Sequence, residues 1–188
     1  MPDWIAVIIL GIIEGITEFL PVSSTGHLQL AERWLKPQSE LFDIVVQCGA
    51  VLAVLLVFQK RVRGLAQEWK SPATRDYLAK LFVAFALTIV GVLAAEKLGV
   101  KVRKEDVAEN AWAVRVALAT LIGGVLFLIV EGWLRNKPGR DGISWAAALA
   151  VGVAQIIAAT YSGSSRSGTT ILFALMLGVA RPAATEFS

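Results

Sequence analysis

Apolar residues in this chain come in blocks, not at single helical or alternating positions. The blocks run over 4–20, 42–58, 77–95, 112–134, 144–161 and 169–180. A helix that crosses a bilayer needs roughly 20 residues. The blocks 77–95 and 112–134 meet that length, and 42–58 meets it once its polar flanks are included. The first block and the last two are short or interrupted by Gly, Pro and Ser, which predicts half-helices that enter the apolar layer and turn back. All six tryptophans (Trp4, Trp34, Trp69, Trp112, Trp133, Trp145) lie at or just beyond block ends, where an interfacial aromatic belt places them. The expected class is an all-α integral membrane protein.

Composition agrees. The 188 residues are 56% apolar and 18% charged, with mean hydropathy +0.65, whereas soluble domains carry about a quarter charged residues. The net charge of +3 falls in short connectors, so no nucleic-acid partner is expected. The 59–76 connector carries Lys60, Arg61, Arg63, Lys70 and Arg75 against Glu68 and Asp76, and 135–141 carries Arg135, Lys137 and Arg140 against Asp141. Both are predicted to be cytoplasmic, and the charge-balanced 96–111 connector external. Spans 42–58, 77–95 and 112–134 then alternate. Segment 4–35 begins and ends outside as a re-entrant hairpin, and the 144–180 segment starts from inside. Glu131, near a block end, is expected at the interface. Met1-Pro2-Asp3 lacks the basic start of a secretory signal, so the first block is expected to be retained. The lone Cys48 has no intrachain disulfide partner and is expected to be a small buried hydrophobe.

One constant shift places Gly11 on Gly152, Glu14 on Gln155, Ser23 on Ser164 and Ser24 on Ser165. An odd number of spans between two such copies inverts the second, and inverted broken hairpins meeting at the midplane are a common way to build a membrane site. The single membrane domain, 1–188, thus divides into a first repeat (1–134: re-entrant hairpin 4–35 and three spans) and the start of a second, inverted repeat (144–188). A full second half would need about three more spans after Ala180. The second repeat is therefore expected to be incomplete, truncated on its C-terminal side.

The chemistry concentrates in the two interrupted segments. Glu14-Gly-Ile-Thr-Glu-Phe-Leu-Pro-Val-Ser-Ser-Thr-Gly-His27 puts two carboxylates, two serines and the one histidine inside apolar flanks, where ionisable groups are costly and usually functional. Glu14 and Glu18 share a helical face, so a proton or a hard divalent cation such as Mg²⁺ or Ca²⁺ is expected between them. Ser24 and His27, three apart, predict a hydroxyl activated by an imidazole. In Gly163-Ser-Ser-Arg-Ser-Gly168, Arg166 stands in a turn that opens the 169–180 helix, a place for an anion. Cation, nucleophile, base and anion clamp together describe phosphoryl transfer. Other readings stand beside this one. The carboxylates suit an ion or proton relay, Ser23 and Ser24 suit helix caps, and Arg166 suits a positive-inside anchor. A transporter or lipid flippase, or an inactive partial protein, fits those readings. Asp43, Gln47 and Gln155 are candidate supporting partners.

The Glu14–His27 motif resembles the first signature of the undecaprenyl-diphosphate phosphatases, also called bacitracin-resistance proteins, and Gly163–Gly168 resembles their second. Phe42-Asp-Ile-Val-Val-Gln-Cys-Gly-Ala50 and Ala184-Thr-Glu-Phe-Ser188 are also similar. The resemblance implies an enzyme of the bacterial inner membrane that hydrolyses undecaprenyl diphosphate to undecaprenyl phosphate and phosphate, recycling the lipid carrier of cell-wall synthesis. It implies a site facing the periplasm, a divalent cation held by Glu14 and Glu18, and two inverted repeats with re-entrant hairpins; whether the chain forms a homodimer is left open by the sequence. By motif position, Ser24 matches the proposed nucleophile, His27 its partner and Arg166 the phosphate-binding arginine. Ser23, Thr25, Ser164, Ser165, Ser167 and Gly168 line the substrate. Ser162-Gly163 stands where the family usually has Pro-Gly.

Overall fold

The computed structural model describes residues 3–18, 20–35, 38–100, 109–135, 137–161 and 163–188. Ser162, the Asp43 side chain and residues 101–108 of the predicted external connector lie outside the described residues. The described helices are α1 (Asp3–Thr17), α2 (Ser24–Trp34), α3 (Glu40–Val57), α4 (Gln59–Gln67), α5 (Pro72–Lys97), α6 (Glu109–Leu134), α7 (Trp145–Thr160), α8 (Arg166–Met176) and α9 (Arg181–Phe187). No strand occurs among the described residues, and one isolated bridge joins Arg140 to Val179.

The two interrupted segments form the same unit twice. A helix of 15 residues breaks and is followed by one of 11 in α1–α2. A helix of 16 breaks and is followed by one of 11 in α7–α8. The members of each pair pack on one another. Helices α5 and α6 are long and apolar enough to cross a membrane, and α3 with α4 makes a third candidate if that pair, bent by 68°, is one span. Helices α1, α3, α5, α6 and α7 cover most of the first five apolar blocks, while α2, α4 and α9 lie between or beyond the blocks. Their outer faces stay apolar without being covered: Phe82 is 71% exposed and Leu128 74%. A face of that kind in water would be an aggregation surface, and in lipid it is the ordinary exterior. The buried core lies between α5, α6 and the second unit, around Ala84, Val130, Ala147, Val151, Leu172, Leu175 and Phe187.

Three expectations are corrected, and the 59–76 connector gains structure: it holds α4 and the first turn of α5, started by Ser71, whose hydroxyl accepts from Thr74 N, and by Pro72 at the first helical position. The second hairpin's outgoing helix is α8, Arg166–Met176, not 169–180, because Ser165 caps it by accepting from Gly168 N at 3.1 Å. Cys48 is exposed, on an α3 that packs mainly against α1 and α4. Trp112 is buried while the other five tryptophans are exposed. Of those five, Trp69, Trp133 and Trp145 each carry a lysine ammonium over the ring (Lys70, Lys137 and Lys80), an arrangement suited to an interface.

Two further ion pairs fasten α9. Glu131 accepts from Arg181 at 2.6 Å, and Arg61 donates to Glu186 at 2.6 Å. The break of the second hairpin is fixed by Gly163. Its φ of +97° is open to glycine, and an added Cβ would stand 2.7 Å from the Val116 carbonyl oxygen of α6. Replacing Gly163 with Ala combines a left-handed strain with that overlap and is expected to cost about 1–3 kcal/mol. The measurement is the thermal unfolding midpoint in detergent, which should drop by several degrees against wild type.

Candidate active site

The first break forms because Pro21 cannot continue a helix and α2 restarts only at Ser24. Backbone N–H of Glu18 still reaches the Glu14 carbonyl at 2.8 Å, so the helical turn extends to Glu18 and the two carboxylates stand one turn apart. Glu14 is fully buried (0% exposed), and Glu18 is partly exposed.

Serine caps α3, α5, α7 and α8 through its side chain. Ser23 holds the same position before α2 but makes no cap bond. Its backbone is left-handed, with φ +67°, a conformation that costs a non-glycine residue of order 1–3 kcal/mol and clusters at functional sites. Ser23 is buried, and its carbonyl oxygen lies 2.9 Å from His27 Nδ1. A carbonyl only accepts, so in the neutral ring the proton sits on Nδ1 and the lone pair on Nε2. Ser24 is not a cap either: its hydroxyl donates to Glu18 Oε2 at 2.7 Å.

The second hairpin arrives at the same carboxylate. Arg166, the first residue of α8, places its guanidinium 3.7 Å from Glu18 Oε1. Glu18 therefore holds a hydroxyl from one hairpin and a cation from the other. The backbones also touch, since a Cβ on Gly168 would meet the Pro21 carbonyl at 3.1 Å. Thr120 of α6 ties the second break down, donating to Val116 O at 2.9 Å and Gly163 O at 3.0 Å.

Beside this junction lies a cavity of about 850 Å³. Ser23, His27, Ser164, Ser165, Gly168 and Thr169 line its polar end, and Leu118, Ile122, Leu126, Phe127, Leu172 and Phe173 line the rest. Ser24, Glu18 and Arg166 stand outside this lining, around the hairpin junction.

The structure thus brings together Glu18, Ser24 and Arg166, with Ser23, Ser165 and Gly168 alongside. It does not join Ser24 to His27. Each is bonded elsewhere, because the twist at Ser23 turns its carbonyl to the imidazole while Ser24 faces back to Glu18. Ser164 donates to the Tyr161 carbonyl, and Ser167 shares a hydroxyl contact of 3.2 Å with Ser165. Thr25 is exposed, while Gln47 on α3 and Gln155 on α7 are partly buried. Among the described residues no group of three or more His, Cys, Asp and Glu side chains is placed to hold a metal. A hard cation fits Glu14 and Glu18 only in the mode that takes one or two carboxylates and completes its shell with phosphate oxygens. Sequence reasoning missed Thr120, Trp112 and Arg115. Arg115 is the sole charge between positions 112 and 130, a signal that could have found it.

Paired helical hairpins beside long apolar helices, with a carboxylate, a hydroxyl and a guanidinium at their junction, fit a multi-pass membrane protein. Residues 7–188 match the family described as "Bacitracin resistance protein BacA". The chain belongs to that family. It is 46% identical over 187 residues to a protein of Rhizobium etli (strain CFN 42) named "Undecaprenyl-diphosphatase", covering 99% of this chain and 68% of that one. A protein of the same name from Xylella fastidiosa (strain 9a5c) is 47% identical over 182 residues, covering 96% and 67%. Another from Xanthomonas axonopodis pv. citri is 45% identical over 188 residues, covering 100% and 68%.

The strain at Ser23 gives a stability prediction. Ser23→Gly should unfold within about 1 kcal/mol of wild type, while β-branched Ser23→Val, disfavoured at positive φ, should cost about 1–3 kcal/mol. Equal midpoints for the two variants in a detergent melt would remove the strain from the description.

Proposed function

We propose that this chain is a membrane phosphatase that hydrolyses undecaprenyl diphosphate to undecaprenyl phosphate and inorganic phosphate. The name of its relatives supports the substrate, and the family description links the activity to bacitracin resistance. The observation that carries the chemistry is the single carboxylate of Glu18 shared by Ser24 and Arg166.

In this reading the distal phosphate enters between Ser24 and Arg166. Ser24 Oγ attacks the distal phosphorus as its proton passes to Glu18, which is already its hydrogen-bond acceptor. The bond from that phosphorus to the bridging oxygen breaks, and undecaprenyl phosphate leaves toward the apolar end of the cavity. His27, whose ring lines that cavity, is placed on the leaving-group side. Water then cleaves the phosphoserine. Arg166 and the positive end of α8 face the charge that develops on the phosphoryl oxygens. Glu14 and Glu18 would hold a divalent cation, whose contribution when bound is to neutralise that charge. What supports it is the oxygen-only donor set.

We further infer that the two hairpins are re-entrant and inverted in a bacterial inner membrane, with their junction open to the periplasm. The support is the repeated helix–break–helix unit and the basic 59–76 and 135–141 segments.

The test is phosphate release from undecaprenyl diphosphate by the purified protein in detergent. Ser24→Ala should lower the rate by roughly 10³-fold or more, and Glu18→Gln and Arg166→Lys each by roughly 10²-fold. Wild-type turnover in Ser24→Ala would overturn the nucleophile. Chelation should abolish turnover and added Mg²⁺ or Ca²⁺ restore it. Turnover that survives chelation would remove the cation.

A further inference from the structure

We propose that Trp112 and Arg115 of α6 form a donor pair for the phosphate that remains on the lipid, the proximal phosphate of the substrate and the single phosphate of the product. The proposal rests on the phosphatase reading and adds to it a second phosphate subsite.

Two independent observations point to an anion there. Trp112 is 8% exposed and lines the cavity, and its indole N–H has no hydrogen-bond partner among the described residues. A buried donor left unsatisfied is destabilising and calls for an acceptor. Arg115 lines the same cavity, three residues further along the same helical face. No carboxylate among the described residues lies within ion-pair distance of it. It is the one permanently charged side chain of the cavity wall, exposed near the N-terminal end of α6, and the helix carries no further charge until Glu131.

The position suits the chemistry. Val116, next to Arg115, meets Gly163 of the second hairpin, and its side chain stands 3.7 Å from where a Cβ on Gly26 of the first would be. The donors therefore lie beside both breaks, and the reacting phosphate is held at the junction by Arg166. Continuing down the Arg115 face, Leu118, Ile122 and Leu126 line the cavity. One stripe of α6 thus passes from two N–H donors to a hydrocarbon wall, the order of groups in a phosphorylated prenyl lipid. A phosphate entering so apolar a cavity loses hydration and needs a counter-charge, which the guanidinium supplies through paired N–H donors.

The experiment measures initial rates of phosphate release from undecaprenyl diphosphate with undecaprenyl monophosphate or undecaprenol as inhibitor. Arg115→Ala should raise KM and the inhibition constant of the monophosphate together, by about tenfold or more, while the constant for undecaprenol stays within about twofold. Trp112→Phe, which keeps an aromatic ring and removes the N–H, should move the same two constants by several-fold, and Arg115→Lys should recover part of the loss. Unchanged constants in Arg115→Ala, or equal shifts for monophosphate and undecaprenol, would overturn the pair and leave a packing or anchoring role. Were wild type to release no phosphate, the phosphatase reading would fall by itself. The donor pair would then be decided by thermal stabilisation with undecaprenyl monophosphate, expected in wild type and lost in Arg115→Ala; equal stabilisation in both would overturn it.

Discussion

A helix interrupted inside an apolar layer frees backbone N–H and C=O groups where water cannot reach them, and each must find a protein partner. At the second break one of those partners is a side chain of α6, and the two breaks are packed against one another. Thr120 donates to the Gly163 carbonyl, Gly168 comes against the Pro21 carbonyl, and α6 packs closely on Gly163. Neither break is closed by its own hairpin alone. Each depends on the other and on α6, so the interrupted segments converge at one place, and the polar side chains they carry converge with them.

That convergence, which neither motif makes alone, gathers polar side chains from both hairpins at one carboxylate. Glu18 stands just past the end of α1, where its N–H still bonds the Glu14 carbonyl. It can therefore receive Ser24 from the same hairpin and Arg166 from the opposite one. Coulomb attraction between Glu18 and Arg166 also offsets part of the cost of keeping a carboxylate at a partly buried position.

The spans, the breaks and the polar residues gathered at the hairpin junction were legible because each leaves a local signature. Length and hydropathy marked α5 and α6, Pro21 and the Ser–Gly runs marked the breaks, and charges inside apolar flanks marked Glu14, Glu18 and Arg166. The pairing of those residues was less legible. Spacing alone suggested that Ser24 would meet His27. The left-handed twist at Ser23 sends the two side chains to different partners, and nothing in a serine announces positive φ. Trp112 read as interfacial because block ends and cavity walls look alike in one dimension. α4 was hidden by its charge, since a basic amphipathic helix has the composition of a connector.

The backbone of Arg140 pairs with Gly178 and Ala180 on either side of the turn between α8 and α9, and its guanidinium reaches the Leu177 carbonyl. Those bonds stitch the entry strap of the second hairpin to its exit. The second hairpin is therefore fastened at its open end by Arg140 as well as at its break by Thr120, so α7 and α8 are tied together at both ends.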